Sequence, residues 1–263
     1  MNWLERSMYD SLKEMKDLYH LSWVKISFED EWINMDQAQT ISSIAYKSGV
    51  DVSMKIGWAE AKRDIRDARI LGVHKVVAPM IESEYALKKF MNAVSKIYVE
   101  DEMNDTDFMI NIETITGFEA AKSMLTSLQA QNLSGVVLGR SDFVGSMWKD
   151  KSYVNSDEMF KIASELASIC KQTGKKFFVG GNVNAESIDF FKDLNKIHLS
   201  GLETRNVIFK PDVLKLNDVE SAIAQALTFE LLLLEVKDKI YETMINEDKH
   251  RMEDIKSRFI NQW

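Results

Sequence analysis

Two carboxylates each follow a short apolar run. Phe108-Met109-Ile110-Asn111-Ile112 leads into Glu113, and Gly135-Val136-Val137-Leu138-Gly139-Arg140-Ser141 leads into Asp142. Bulky apolar runs bounded by Gly, Asn or Asp are the signature of strands buried on both faces of a parallel sheet. A charged side chain is then expected only where the strand leaves the sheet. Between the two runs, Phe118, Ala121, Leu125 and Leu128 recur with helical spacing. The unit therefore reads strand–helix–strand, which places Glu113 and Asp142 at the same edge of neighbouring parallel strands. Two anions at one edge call for a cation, and an all-oxygen donor set favours Mg²⁺ or Mn²⁺ over zinc.

The elements that must hold these residues recur along the chain. Strand-like runs lie at 22–28, 51–56, 74–78, 107–113, 134–139, 176–180 and near 197–209, with helical patterns filling the gaps. Strands alternating with single helices imply right-handed crossovers and a parallel sheet. Seven or eight such units close more readily into a (β/α)₈ TIM barrel than into an open sheet with two edges to protect. One barrel domain over 1–263 is expected, with an N-terminal helix over about 1–20 and a C-terminal helical extension over about 217–262. In that extension, Phe229 to Leu234 is strongly apolar and a charged tail follows. An apolar stripe of that length predicts a subunit contact, hence a homo-oligomer joined through C-terminal helices.

Composition narrows the function. A chain of 263 residues with 45% hydrophobic content can bury one large core. The single cysteine, Cys170, excludes an internal disulfide and falls in an apolar helical pattern, as a packed core thiol does. A formal charge of −8 argues against a nucleic-acid partner. No apolar run is long enough to cross a bilayer and no secretory signal pattern is evident, so a cytoplasmic protein is expected.

In a barrel the strand C-terminal ends form the active-site face. The residues just after the runs are polar: Glu29, Asp30 and Glu31; Lys55; Glu82; Asn111 and Glu113; Arg140 and Asp142; Gly180, Gly181 and Asn182; Glu203 and Arg205. Glu203-Thr204-Arg205 suggests an internal ion pair, and the tryptophans Trp58 and Trp148 stand just beyond strand exits.

These residues carry a resemblance. Asn111-Ile112-Glu113-Thr114 followed by Gly139-Arg140-Ser141-Asp142-Phe143 resembles the paired metal-binding motifs of the HpcH/HpaI aldolase and citrate lyase family. Lys55-Ile56-Gly57 falls where those enzymes carry Arg-Pro or Arg-Ile-Asn, and Ala78-Pro79-Met80-Ile81-Glu82-Ser83 resembles their next strand exit. The resemblance implies that Glu113 and Asp142 are the protein ligands of Mg²⁺ or Mn²⁺. It also implies that Lys55, Asn111, Gly139, Arg140, Ser141 and Asp142 bind a 2-oxo acid such as pyruvate. Backbone amides around Gly139 to Asp142 would hold its carboxylate. The activity implied is a class II aldolase type of C–C lyase, in which the metal stabilises an enolate and the second substrate is an aldehyde.

Two departures from the family stand out. Lys55 replaces Arg, a point charge without the bidentate fork. Ser27-Phe28-Glu29-Asp30 stands where the family shows Asp-x-Glu-His, so the histidine base is missing, and His20, His74, His198 and His250 lie at no strand exit. Glu29 and Glu31 become the candidate bases, if not simply acids favouring a helix dipole. A Schiff base on Lys55 is an alternative mechanism. A citrate-lyase-like CoA-ester lyase ranks second, since no basic cluster for a diphosphate is evident at the strand exits. A non-catalytic barrel that has lost its base is the third reading.

Overall fold

Along every strand the side chains alternate between two environments, and that alternation closes the sheet. The computed structural model describes residues 1–29 and 33–260. Eight strands form a closed barrel in chain order: β1 (Leu21–Ser27), β2 (Asp51–Lys55), β3 (Lys75–Ala78), β4 (Asp107–Ile112), β5 (Gly135–Gly139), β6 (Lys176–Gly180), β7 (Gly201–Glu203) and β8 (Val207–Phe209). Helices occupy the connections: α1 (Trp3–Tyr19), α2 (Met35–Lys47), α3 (Lys62–Leu71), α4 (Glu84–Ser95), α5 (Glu100–Asp105), α6 (Ile115–Thr126), α7 (Arg140–Ser146), α8 (Asp157–Gln172), α9 (Ile188–Asn195) and α10 (Val219–Ile260). The expected barrel with a C-terminal helical extension is therefore present.

The end of the barrel differs in detail from a plain repeat. The run near 197–209 is two strands, not one. β7 and β8 form a tight hairpin, so β8 lies antiparallel to both β7 and β1 and closes the barrel without a crossover helix. Thr204 makes the turn: its backbone N–H donates to the Val207 carbonyl at 2.9 Å.

Outward-facing residues such as Val52, Met54, Val76, Ile110, Leu138 and Val179 join the helices in one continuous core. Inside the barrel, Val77, Met109, Val137, Phe178 and Ile208 form a separate small band with Trp23 packed on it. Strands buried on both faces explain why the runs read as nearly unbroken apolar stretches. Helix starts are set by short polar side chains just past strand ends. Asn34 caps α2, Ser83 caps α4, Thr114 caps α6 and Ser156 caps α8, each side chain accepting a first-turn N–H.

α10 packs one face on α1 and the barrel through Val219, Ala222, Ile223, Ala226, Phe229 and Leu233. The apolar stretch Phe229–Leu234 is thus divided: Phe229 and Leu233 are buried, while Leu231 and Leu234 face outward. No described helix is long and apolar enough to cross a membrane. Cys170 is buried in α8, and burial pushes its thiol up to about 12, as an inert packing residue requires.

Candidate active site

β1 to β7 run in the same direction, so their C-terminal ends gather at one rim, where a cavity of about 350 Å³ opens. Glu113 leaves β4 at this rim and is held by three donors. Its Oε1 accepts the Met80 backbone N–H at 3.0 Å, and its Oε2 accepts Asn111 Nδ2 at 2.8 Å. The Lys55 ammonium lies 3.5 Å from Oε2. Met80 aims its N–H this way because it adopts φ 51, a left-handed conformation that a non-glycine residue takes at a cost of order 1 kcal/mol. Gly139 ends β5 beside the same carboxylate, and a Cβ there would stand 3.0 Å from Glu113 Oε2. Glycine is what lets β5 pass the charge.

Lys55, at the end of β2, is ion-paired with Glu29 as well as facing Glu113, so one ammonium links carboxylates from two strand exits. Asp142 sits in the first turn of α7 and lines the cavity with Gly139 and Ser141. The first N–H groups of that turn have no intrahelical acceptor. Against this turn lies the exit of β6, where Gly181 takes φ 88 and a Cβ would come within 2.4 Å of Ser141 N. Gly181 is therefore required by backbone packing.

Of the residues singled out in the sequence, Lys55, Asn111, Glu113, Gly139, Ser141 and Asp142 line one cavity. Glu29 reaches it through Lys55. Asn111 spends an amide hydrogen on Glu113, which makes it a positioning residue as well as a wall. Glu31, with Asp30, lies outside the described residues.

Arg140 corrects the expectation that it binds substrate. It is fully buried and points away from the cavity. Its guanidinium donates to the carbonyls of Gly180 (3.0 Å), Val154 (3.3 Å) and Gly181 (2.9 Å) and to Asn155 Oδ1 (2.9 Å). Its plane lies against Phe190 and Phe191. Four of its five N–H donors go to these oxygens, so the fork pins the β5 and β6 exits together rather than facing the cavity.

The cavity also contains residues that the sequence reading passed over. Lys25 projects inward from β1 and pairs with Glu203 at 3.4 Å, so Glu203 has a partner two strands away, beyond β8. Lys151 stands at the mouth beside Arg205, which the sequence had already singled out, and Leu227 and Glu230 bring α10 to the wall. Lys25, Lys151 and Arg205 form the cationic group that no stretch of sequence displayed, because they come from three separate segments. Trp58, Met80 and Tyr85 border a shallower groove beside Glu29, whereas Trp148 is exposed. No histidine lines the cavity.

A divalent metal suits this donor set. Two carboxylates, Glu113 and Asp142, line one cavity with hydroxyl and backbone oxygen around them. Among the described residues no group of three or more His, Cys, Asp or Glu forms a closed metal cage. Hard cations held by one or two carboxylates, with remaining positions left to substrate and water, use this kind of open arrangement.

A closed barrel with acidic and cationic side chains gathered at the C-terminal rim defines an α/β-barrel enzyme scaffold. The family model for HpcH/HpaI aldolase/citrate lyase matches residues 38–208, and the chain belongs to that family. Membership supports a lyase-type enzyme activity. Among solved structures, the HpcH/HpaI aldolase from Desulfitobacterium hafniense DCB-2 is similar at 13% identity, with 74% of this chain and 80% of that chain covered and a TM-score of 0.60. The citrate synthase SbnG is similar at 14% identity over 88% of this chain and 90% of that chain, TM-score 0.62. A citrate lyase from Burkholderia xenovorans LB400 is similar at 12% identity over 89% and 80%, TM-score 0.58. At these identities the likeness is one of fold. No curated protein sequence matches the chain.

Proposed function

We propose that this protein is a divalent-metal-dependent C–C lyase of the class II aldolase type, acting on a 2-oxo acid such as pyruvate with an aldehyde as second substrate. The observation that carries the reading is the convergence of Glu113, Asp142 and Lys55 on one cavity at the rim. Glu113 and Asp142 would hold Mg²⁺ or Mn²⁺. When bound, the ion would neutralise charge developing on the keto oxygen as the C–C bond breaks or a C3 proton leaves.

The chain's own side chains do the rest. Asn111 and the Met80 N–H fix the Glu113 carboxylate, so that it needs little reorganisation to act. The Lys55 ammonium shares the developing negative charge. The backbone amides around Gly139 to Asp142, at the start of α7, would hold the substrate carboxylate. With no histidine at the rim, Glu29 is the candidate to take the C3 proton, and it must first loosen its pair with Lys55. Lys25, Lys151 and Arg205 suit an anionic substrate and favour, as second reading, a citrate-lyase-like CoA ester.

The test is exchange of pyruvate methyl protons with deuterium, followed by NMR with and without Mg²⁺ or Mn²⁺. Metal-dependent exchange is expected and is independent of the aldehyde. Absence of exchange with any divalent ion, in a folded protein, overturns the reading, and cleavage of a CoA ester in its place selects the second.

A further inference from the structure

The distal half of α10 is largely in solvent: near its start Tyr241 Oη accepts from Gln37 Nε2 at 3.5 Å and Lys239 Nζ lies 6.0 Å from the Trp3 ring centroid. From Asp238 to Arg258 each residue is exposed, a stretch of about 30 Å at 1.5 Å per residue. A helix with so few tertiary contacts is marginal in water, because packing supplies most of the stability of helices in proteins. This segment also carries a pattern that a solvated arm does not need. Positions 227, 231, 234, 238, 241, 245, 248, 252 and 255 follow a strict four–three spacing. They hold Leu, Leu, Leu, Asp, Tyr, Ile, Asp, Met and Ile. All seven apolar members are exposed. A sustained seven-residue repeat of this kind is a coiled-coil seam.

We propose that the distal half of α10 pairs with the same segment of a second copy of this chain, as an antiparallel two-stranded coiled coil centred between residues 246 and 247. Charge selects both the partner and the direction. The residues just after one set of seam positions are Glu235, Glu242, Lys249 and Lys256, acidic in the first half and basic in the second. Run antiparallel, Glu242 meets Lys249 of the second copy and Glu235 meets its Lys256, and the two-fold axis doubles both pairs. The other flank places Lys237 near Arg258 of the second copy, a weaker and more exposed repulsion.

Run parallel, the same sequence opposes Glu230 to Glu235 and Arg251 to Lys256, with Lys237 beside Glu242 the one attractive flank pair. It also sets Asp238 and Asp248 against their own copies in the seam. Antiparallel, those aspartates face Ile255 and Ile245, while Tyr241 meets Met252. Seam polar residues cost stability but fix register. This inference does not depend on the chemistry at the rim.

The experiment uses the full chain in sedimentation equilibrium and cysteine cross-linking. A dimer, or a larger assembly of such dimers, is expected at micromolar concentration. Lys249→Glu with Lys256→Glu should lower the assembly by at least one step, and adding Glu235→Lys with Glu242→Lys should restore it, with the barrel checked by thermal unfolding. The pair Asp238→Cys/Ile255→Cys should oxidise to a linked dimer, while Ile255→Cys alone should not; Cys170 is buried and does not interfere. A wild-type monomer at tens of micromolar overturns the proposal. So does efficient cross-linking of Ile255→Cys alone, which marks parallel pairing.

Discussion

Lys55 and Lys75 stand on neighbouring strands and project into the same barrel, yet they meet opposite surroundings. Lys55, at the rim end of β2, has its ammonium between the carboxylates of Glu29 and Glu113. Lys75, at the far end of β3, is fully buried, with its Nζ 3.5 Å from the Phe178 ring centroid and 4.0 Å from that of Trp23. It makes no hydrogen bond among the described residues. Burial, opposed by the charges of Glu203 and Asp107, pushes its amine down to about 8. The lysine best able to shed its proton is therefore below the apolar band of Val77, Met109 and Val137, away from the cavity. The lysine that lines the cavity stands between two carboxylates. An imine route needs an amine that is both neutral and accessible; Lys75 is buried away from the cavity, and Lys55 is ion-paired with two carboxylates.

The largest expected effect tests the rim. Glu113→Gln keeps shape and hydrogen bonding but removes the charge, and should lower metal-dependent deuterium exchange by about a thousandfold, roughly 4 kcal/mol of lost stabilisation. Thermal unfolding should barely move. Exchange within tenfold of wild type would show that Glu113 serves structure only.

The next effect tests the floor. Lys75 ordinarily titrates near 10.5 and in the folded chain near 8, so between those values the unfolded chain holds the extra proton. Stability should then rise with pH across that window, and the burial cost is felt in full below about pH 8. Cys170 and Tyr46, both pushed up to about 12, act in the opposite direction above pH 9 to 10. Lys75→Met leaves those terms unchanged. The stability difference between wild type and Lys75→Met, from urea unfolding, should therefore move toward wild type by about 3 kcal/mol from pH 7 to 10.5. A difference that stays flat with pH would mean that Lys75 is charged throughout, held by the two rings.

The smallest effect separates the mechanisms at Lys55 itself. Lys55→Arg should retain exchange within about tenfold, or 1.4 kcal/mol, because a cation remains beside the carboxylates. Chelation should abolish exchange in both proteins. Borohydride with pyruvate should add no mass to Lys55; a covalent adduct there would replace the metal enolate by an imine and leave the barrel intact.

Much of this was legible from one dimension. Each of the first six strand runs matches an observed strand to within a residue or two, because a strand buried on both faces leaves an uninterrupted apolar signal. The carboxylates at the exits of β4 and β5 were legible for the same reason: charge after such a run marks a strand end. Lys25 could have been found by the period of two, since Trp23, Lys25 and Ser27 share a face of β1. It was passed over because a charge inside an apolar run reads as a surface position. The hairpin of β7 and β8 was not legible: three-residue strands are too short to show a period, and only their pairing with β6 and β1 defines them.

The sequence by itself determined the order of strands and helices, the caps that start the helices, and the seven-residue repeat of α10, because each depends on residues close in the chain. Tertiary structure alone decided which charges meet. Arg140 is two residues from Asp142 in sequence, yet it turns into the β6 exit to satisfy four acceptors, while Lys55 and Glu113, far apart in the chain, share a cavity. Where a charged side chain ends is set by the acceptors that surround it after the barrel closes, and those acceptors come from strands that the local sequence does not contain.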